Sequence, residues 1–470
     1  MTRPLLFALA LLTAAASAPG ATAQGFPSTP PAPGPPRPFE LPEGRTFALD
    51  NGIDVTLVPY GDVPKANVYA VVRTGNVDEA PGQSSLADLA VGLLTEGTTT
   101  RSAQAIARRA ADMGGSVNAG AGLDQTFVTG RVLSEFTPDL VRLVGDVLQN
   151  PAFAQDAFER VQRDLVRGAA VGRSQPGTVA RAAFSRALYG EHPYAAVVLP
   201  DPAQIEAATV ADARAFYDAH VGPERTRVYV VGRFDEAAVE DAIRQAFGSW
   251  TAGAVAEVPE PPQPTTGRRI VLVDQPGAAQ SNVVVGLPTL DPSHPDFVAL
   301  QVTNALLGGS FGSRITRNIR EDKGYTYSPG SSVASRYRTG YWAESAAVVT
   351  ESTGPALREI LYEIDSLATN PPDAAELEGI QNYLAGTFVL QNSSAGGIAA
   401  FLAFLDLHGL GRDYLEDYTQ RVYAVTPEDV SRITREHIRG DDLTVVVVGD
   451  RSVVEPQLAP FGEVTIETVD

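Results

Sequence analysis

The sequence predicts a fold that mixes helices and strands in two related halves. Three observations carry this prediction: an internal repeat without gaps, a proline cluster between its two copies, and alternating strand-like and helix-like segments in the first half. The chain has 470 residues, of which 44% are hydrophobic and 20% charged. A chain of this length and composition buries a sizeable core, which excludes wholesale disorder.

The internal repeat has an offset of 217 residues, from Thr209 to Thr426. TVADARAFYDAH recurs as TPEDVSRITREH, and the same offset carries RVYVVG onto TVVVVG. Each copy predicts an amphipathic helix with a threonine N-cap, followed by a buried strand. His220 and His437 close the two helices, and their matched positions favour a helix-end interaction over catalysis.

Proline-rich segments set the predicted domain boundaries. AEVPEPPQPTTG holds four prolines, which preclude a regular helix or a central strand. We therefore predict an N-terminal domain at 41–252, a linker at 253–267 and a C-terminal domain at 268–470. Proline is also dense at 24–40, which we interpret as an extended linker.

The first 23 residues have the pattern of a signal peptide. Arg3 supplies a positive charge, an apolar run follows, and Ala21-Thr22-Ala23 forms a cleavage site. Residues 1–23 therefore predict export, and a periplasmic location is the prediction that we favour, with full secretion left open.

The charge and residue content exclude several classes of function. There are 36 basic and 56 acidic residues, a formal charge of -20, which argues against a nucleic-acid partner. No later run of about 18 apolar residues predicts a membrane span. Cysteine is absent, so disulfides, thiolate zinc sites and a cysteine nucleophile are excluded.

The first half begins with a predicted hairpin. Asn51-Gly52 lies between two β-rich runs and predicts a type I′ turn. Strands at VYAVVRT and SVNAGAGLDQTFVTGRV alternate with helices near 84–94, 102–113 and 151–170.

This order of elements resembles the pitrilysin/insulinase (inverzincin) family of zinc metallopeptidases, from about residue 41 to the end. Active members carry H-x-x-E-H, in which two histidines bind zinc and the glutamate activates water. Here SLADLAVGLLTEGT places Asp88, Val91 and Gly92 at these positions. The resemblance implies an α+β clamshell of two homologous halves, each a mostly antiparallel sheet with helices packed on it.

The resemblance also implies that the zinc site is lost. The family's third ligand is a glutamate that would fall in RDLVRGAAVGRSQPG, yet no acid occurs between Asp164 and Glu191. Catalytic zinc needs three protein ligands, which this chain lacks, so we expect no zinc here and zinc in a partner subunit. Ser85 and Asp88 instead predict a capping box at a helix start. The five histidines are too scattered to favour a metal site.

The second half keeps a different part of the family pattern. ALLGGSFGSRITRNIREDKGYTYS resembles the C-terminal signature, whose arginine and tyrosine reach the zinc site of the other half or subunit. Arg320 and Tyr327 match that spacing. Alternatively, Arg320 pairs with Glu321 or Asp322 and Tyr327 only packs. Tyr325 is a weaker candidate for the same duty.

A serine-hydrolase motif is the competing interpretation. Gly308 to Gly312 matches G-x-S-x-G around Ser310, and His408 and His437 follow. The preceding VALQVTNALL has helical spacing, whereas a nucleophile elbow follows a strand. The paired glycines predict a helix C-cap and a close backbone approach.

The sequence thus predicts a non-catalytic, pseudo-peptidase subunit of an exported heterodimer. A homologous zinc-bearing peptidase subunit would be its partner, and unfolded peptides, bound as added edge strands, would be its substrates. The alternative is a peptide-binding or scaffold protein of the same fold without a peptidase partner.

Overall fold

The computed structural model describes residues 42–251 and 267–468. The predicted signal peptide, the N-terminal linker and nearly all of the interdomain linker lie outside these residues. The domain boundaries therefore stay predictions.

The first half is built on a six-stranded sheet. The strand order is β1-β2-β6-β3-β5-β4, and only β2 and β6 pair in parallel. The strands are β1 (Arg45–Ala48), β2 (Asp54–Pro59), β3 (Lys65–Val72), β4 (Ser116–Ala121), β5 (Thr126–Leu133) and β6 (Thr226–Gly232).

The second half repeats this arrangement. Its order is β12-β7-β11-β8-β10-β9, and β7 pairs in parallel with both β11 and β12. The strands are β7 (Arg269–Asp274), β8 (Gln280–Thr289), β9 (Gly330–Arg336), β10 (Thr339–Val349), β11 (Thr444–Gly449) and β12 (Val464–Thr468). Both sheets are mostly antiparallel, which confirms the predicted fold class.

Helices pack on both sheets. Those of the first half are α1 (Leu86–Gly92), α2 (Ala103–Asp112), α3 (Thr137–Gln149), α4 (Gln155–Arg173), α5 (Pro176–Tyr189), α6 (Pro202–Ala207), α7 (Val210–His220) and α8 (Glu236–Phe247). Those of the second half are α9 (Phe297–Asn304), α10 (Arg314–Thr316), α11 (Thr353–Thr369), α12 (Ala374–Gln391), α13 (Ala395–His408), α14 (Asp413–Glu416), α15 (Tyr418–Ala424), α16 (Pro427–His437) and α17 (Arg451–Leu458).

The repeat found in the sequence is confirmed in the structure. Thr209 and Thr426 each accept a hydrogen bond from the backbone of the third residue of their helix, in matching capping boxes. The strands that follow, β6 and β11, are equivalent central strands of the two sheets. Burial lowers the pKa of both terminal histidines, His220 and His437, which disfavours the charged imidazole that an interaction with the helix end would need.

Each half contributes a helix to the sheet of the other half. Helix α5 packs on β8 and β11, and α13 packs on β3 and β6. Tyr229 of β6 consequently shares a core cluster with Leu402 and Leu405 of α13. Gln125 adds a hydrogen bond across the halves, from Nε2 to the carbonyl oxygen of Ala403 at 3.2 Å.

The predicted hairpin is present, but the predicted turn type is wrong. β1 and β2 pair, and the loop closes through hydrogen bonds between Leu49 and Ile53 and between Gly52 and Leu49. Only Gly52 has a positive φ there, 91°, whereas a type I′ turn needs two. Asn51 donates through Nδ2 to the carbonyl oxygens of Phe247 and Trp250, which ties the loop to the end of α8.

No single helix among the described residues is long and apolar enough to cross a membrane. Helices α12 and α13 meet the length and composition criteria only together, and they are bent by 107° at their junction.

Candidate functional site

The positions of the zinc motif lie on α1, whose apolar residues pack into the core of the first half. Val91 is 2% exposed and belongs to the core of the first half. A β-carbon at Gly92 would lie 2.9 Å from Cγ1 of Val161, so α4 approaches α1 where the family places a histidine. Neither residue offers a metal ligand.

Helix α4 carries the segment in which the third ligand was expected. Ala169 in this segment is buried, and Val161, Leu165 and Val166 pack against the same core. Asp164, the last acid of the helix, pairs with Arg167 at 2.8 Å in an exposed position. The residues present therefore do not fit a catalytic zinc ion, which needs three converging ligands.

Asp88 is the one motif position with a polar side chain, and it is already bonded. Asn76 donates through Nδ2 to Oδ2 of Asp88 at 2.9 Å and to Oε1 of Glu79 at 3.0 Å. One amide group thus bridges two carboxyl groups at the start of α1.

Glu79, and not Asp88, caps α1. Its carboxyl group accepts the backbone N–H of Ser85 at 3.1 Å and of Ala87 at 3.0 Å. Ser85 has a left-handed backbone, φ 61°, and makes no side-chain cap bond. A capping side chain needs an extended backbone at the N-cap, so the predicted Ser85–Asp88 capping box is wrong.

Burial changes the protonation of this carboxyl pair. It raises the pKa of Glu79 to about 7, and the neighbouring Asp88 charge acts in the same direction against the hydrogen bonds from Ala87 and Asn76. Burial also raises the pKa of Asp88. Near neutral pH, the pair therefore holds a proton for a large part of the time.

Within the described part of the chain, one group of acidic and histidine side chains has metal-ligand spacing. It comprises Asp296, Glu436 and His437. Arg432 already occupies this group, because its two Nη atoms each lie 2.9 Å from an oxygen of Asp296 and Nη1 also reaches Glu436. The guanidinium of Arg432 therefore already pairs with the carboxylates that a metal cation would need as ligands.

Arg320 and Tyr327 lie together on the second half. Cζ of Arg320 is 4.4 Å from the ring centroid of Phe311 and 5.0 Å from that of Tyr327. Tyr327 is 81% exposed and Phe311 is 70% exposed. Arg320 stands in a π-helical turn, Arg317–Asp322, a rare conformation that is frequent at functional sites.

Arg320 makes no ion pair with Glu321 or Asp322 within 4.0 Å in the described structure. Its neighbours differ: Arg314 pairs with Glu376 at 2.7 Å, and Lys323 lies 3.8 Å from Glu359. With Tyr327 exposed as well, the alternative of a paired arginine and a packed tyrosine is not what the structure shows. The two side chains thus place hydrogen-bond donors side by side, with Tyr327 exposed and Arg320 partly exposed.

The serine-hydrolase motif lacks its structural context. Helix α9 leads into a second π-helical turn, Ala305–Gly309, and Ser310 follows it in extended conformation. The glycines belong to this turn and not to a C-cap. The close approach is confirmed, since a β-carbon at Gly308 would lie 2.3 Å from Oε2 of Glu344.

Sequence reasoning missed Glu79 and Phe311. Glu79 lies six residues before the serine that it caps, and no short-range capping pattern covers that distance. Phe311 stands in a glycine-rich loop, where the sequence offers no sign of a stacking partner.

Two family models match adjacent parts of this chain and together more than half of it. Residues 58–200 match the model described as Insulinase (Peptidase family M16), and residues 207–384 match that described as Peptidase M16 inactive domain. The chain belongs to the pitrilysin/insulinase (M16) peptidase family, and residues 207–384 match the domain of that family described as inactive.

Curated relatives cover most of the chain. A Mycobacterium bovis protein named uncharacterized zinc protease is 28% identical over 397 residues, 83% of this chain and 90% of the relative. A Streptomyces coelicolor protein of the same description is 25% identical over 410 residues, 86% and 89% of the two chains.

Solved structures share the fold. A peptidase M16 inactive domain from Pseudomonas fluorescens matches with a TM-score of 0.79 at 23% identity, over 87% of this chain and 98% of that one. A Helicobacter pylori protease gives 0.81 at 20%, over 87% and 100%. A chain of complex III2 from Candida albicans gives 0.73 at 14%, over 89% and 100%.

Proposed function

We propose that this chain is the non-catalytic subunit of an exported zinc metallopeptidase heterodimer that degrades unfolded peptides, and that it supplies Arg320 and Tyr327 to the active site of its partner. One contrast carries the proposal. Apolar packing fills the Val91 and Gly92 positions of the zinc motif, whereas in the second half Tyr327 is exposed and Arg320, partly exposed beside it, makes no ion pair with an acidic side chain of the described residues.

The side chains of Arg320 and Tyr327 suit the binding of an oxyanion. When a peptide carbonyl is attacked, negative charge develops on its oxygen, and fixed donors that point at that oxygen lower the barrier. The guanidinium of Arg320 offers two parallel N–H donors, and the phenol of Tyr327 offers one O–H donor. A homologous subunit with an intact H-x-x-E-H motif would hold the zinc that activates the attacking water.

The sheet edges suit an extended peptide. β9 is an edge strand of the second sheet and begins at Gly330, shortly after Tyr327. β4 is the corresponding edge of the first sheet. Peptides that add a strand bind mainly through backbone hydrogen bonds, so sequence selectivity would be low. Export to the periplasm, proposed from residues 1–23, would place the heterodimer among unfolded exported chains.

The second candidate is a peptide-binding or scaffold protein of this fold without a peptidase partner. The similarity to a chain of complex III2 favours it, because that chain is part of a larger assembly. The two candidates differ in whether a zinc-bearing homologue co-purifies.

The experiment starts with the chain alone. We expect the purified chain to bind no stoichiometric zinc and to cleave no unfolded peptide, since Val91 and Gly92 offer neither base nor ligand. Metal analysis that finds about one tightly held zinc per chain would overturn the proposal. Purification from the native host, with mass spectrometry of bound proteins, should then recover a homologue with H-x-x-E-H. Recovery of unrelated assembly subunits alone would favour the scaffold.

A further inference from the structure

A separate cavity with aromatic walls lies in the second half. Its volume is 280 Å³, and its lining includes Phe388, Phe401, Phe404, Tyr414 and Tyr418. The rings of Phe388 and Tyr418 are stacked with centroids 4.3 Å apart, and Phe401 meets Phe388 edge to face at 5.8 Å. None of the lining residues belongs to the Arg320–Tyr327 pair.

The floor and the mouth of this cavity differ in exposure. Phe388, Tyr414 and Tyr418 are buried at its floor, whereas Phe401 and Phe404 are partly exposed. Gln391, the last residue of α12, is exposed at the mouth. A ligand can therefore enter without unfolding the core.

The wall of the cavity includes a buried polar atom that has no hydrogen-bond partner among the described residues. Oε1 of Gln301, on α9, is buried and accepts no hydrogen bond in the described structure. A buried acceptor without a donor is costly, and a ligand that brings a donor would remove that cost.

The lining carries no acidic, basic or histidine side chain. A charged ligand would lose its hydration without compensation there, so the cavity selects against ions. An apolar cavity of about 150 Å³ holds benzene, so this larger one has room for a two-ring aromatic group.

We propose that this aromatic cavity binds a neutral aromatic group that carries one hydrogen-bond donor and has the size of an indole, with the donor directed at Oε1 of Gln301. The group could come from a tryptophan side chain of a peptide or from a free small aromatic molecule. The aromatic walls supply edge-to-face contacts, and Gln301 supplies selectivity.

Calorimetric titration of the full chain with indole, benzothiophene and N-acetyltryptophanamide tests this proposal. We expect indole to bind with a Kd of roughly 0.1–1 mM. Benzothiophene has the same shape but no N–H, and it should bind about fivefold more weakly. Binding of N-acetyltryptophanamide as tight as that of indole supports a peptide side chain, and binding of indole alone supports a free aromatic. Absence of binding by both overturns the site.

Variants locate the binding. Gln391→Trp places a large side chain at the mouth and should weaken indole binding by about tenfold or more, whereas Leu390→Trp, at the neighbouring position that is 74% exposed, should leave it within about twofold. Gln301→Leu should abolish the preference for indole over benzothiophene while both still bind. Equal binding by the Gln391 and Leu390 variants, or an unchanged preference in the Gln301 variant, contradicts the assignment. Circular dichroism verifies that each variant is folded.

Discussion

At the scale of single residues, Glu79 performs the task that the sequence assigned to Asp88. Its carboxylate accepts the backbone N–H groups of Ser85 and Ala87 at the start of α1, while Asp88 accepts from the side chain of Asn76. Orphan N–H groups at a helix start are costly unless a side chain or water satisfies them. The start of α1 therefore depends on Glu79.

We expect Glu79→Ala to lower the free energy of unfolding by about 1–2 kcal/mol, and Asp88→Ala to lower it by less than about 1 kcal/mol. Urea unfolding at neutral pH, followed by circular dichroism, measures both. If Asp88→Ala proved the more damaging variant, Asp88 and not Glu79 would hold the helix start.

The raised pKa of Glu79 predicts a pH dependence of stability. An acid whose pKa is higher in the folded state stabilises that state at low pH, and the stability is lost as pH rises from the unfolded value, near 4.5, to about 7. The wild type should therefore lose about 3 kcal/mol relative to Glu79→Gln between pH 4.5 and 7.5. Urea unfolding of both proteins at each pH gives the difference between their free energies of unfolding. The prediction concerns the change of this difference with pH, so a pH-independent effect of the substitution on stability does not affect it. Parallel pH profiles would contradict the burial of an ionisable group there.

At the scale of elements, the contact between α1 and α4 replaces a metal site by packing. Val161 occupies the space next to Gly92, and Val91 fills the core. A histidine at position 92 would have to displace the side chain of Val161, so the packing of α4 against α1 also opposes a restored zinc ligand.

Gly92→Ala tests this contact. An added methyl group would meet Val161 at 2.9 Å, and we expect a loss of about 1–2 kcal/mol of stability. Gly168→Ala on α4 is the matched control, since nothing lies within 4 Å of its β-carbon position and alanine favours helix. Val161→Ala should relieve the loss in the double variant. A neutral Gly92→Ala would show that α1 and α4 are packed loosely.

The elements show how far the sequence could predict the fold. The threonine-capped helices and the strands after them were predicted because capping and hydrophobic periodicity are local signals. The exchange of α5 and α13 between the sheets was not, because α13 is apolar on nearly all sides and its pattern does not tell which sheet it covers. The turn type also failed, since the side chain of Asn51 bonds to the end of α8, which is distant in the sequence.

For the candidate site, Arg320 and Tyr327 could be predicted from the sequence, but the side chains that surround them could not. Their spacing is a local pattern, whereas the stacking of Phe311 on Arg320 depends on two π-helical turns that no short-range pattern predicts. Glu79 and the aromatic cavity were missed for the same reason: both join residues that are distant along the chain.

At the scale of the whole molecule, the two halves share one architecture but differ in the side chains that they carry at the positions of the family motifs. They share sheet order and a repeated helix and strand, and the exchanged helices α5 and α13 bind each half to the other. The first half lacks the ligands of the family's zinc motif, whereas the second half carries Arg320 and the exposed Tyr327 at the spacing of the C-terminal signature. This difference fits the proposed non-catalytic subunit, because the hydrogen-bond donors of Arg320 and Tyr327 can assist catalysis only at a zinc site that the partner subunit provides.

The turnover of the reconstituted heterodimer tests the central claim most directly. Arg320→Ala or Tyr327→Phe should lower kcat by roughly 10²–10³, with KM little changed, because donors to an oxyanion act mainly in the transition state. Lys323→Ala, which removes a neighbouring paired cation, should leave turnover near that of the wild type. Assembly, followed by gel filtration, should survive in all three variants. Wild-type turnover in both the Arg320 and the Tyr327 variant would contradict the shared active site.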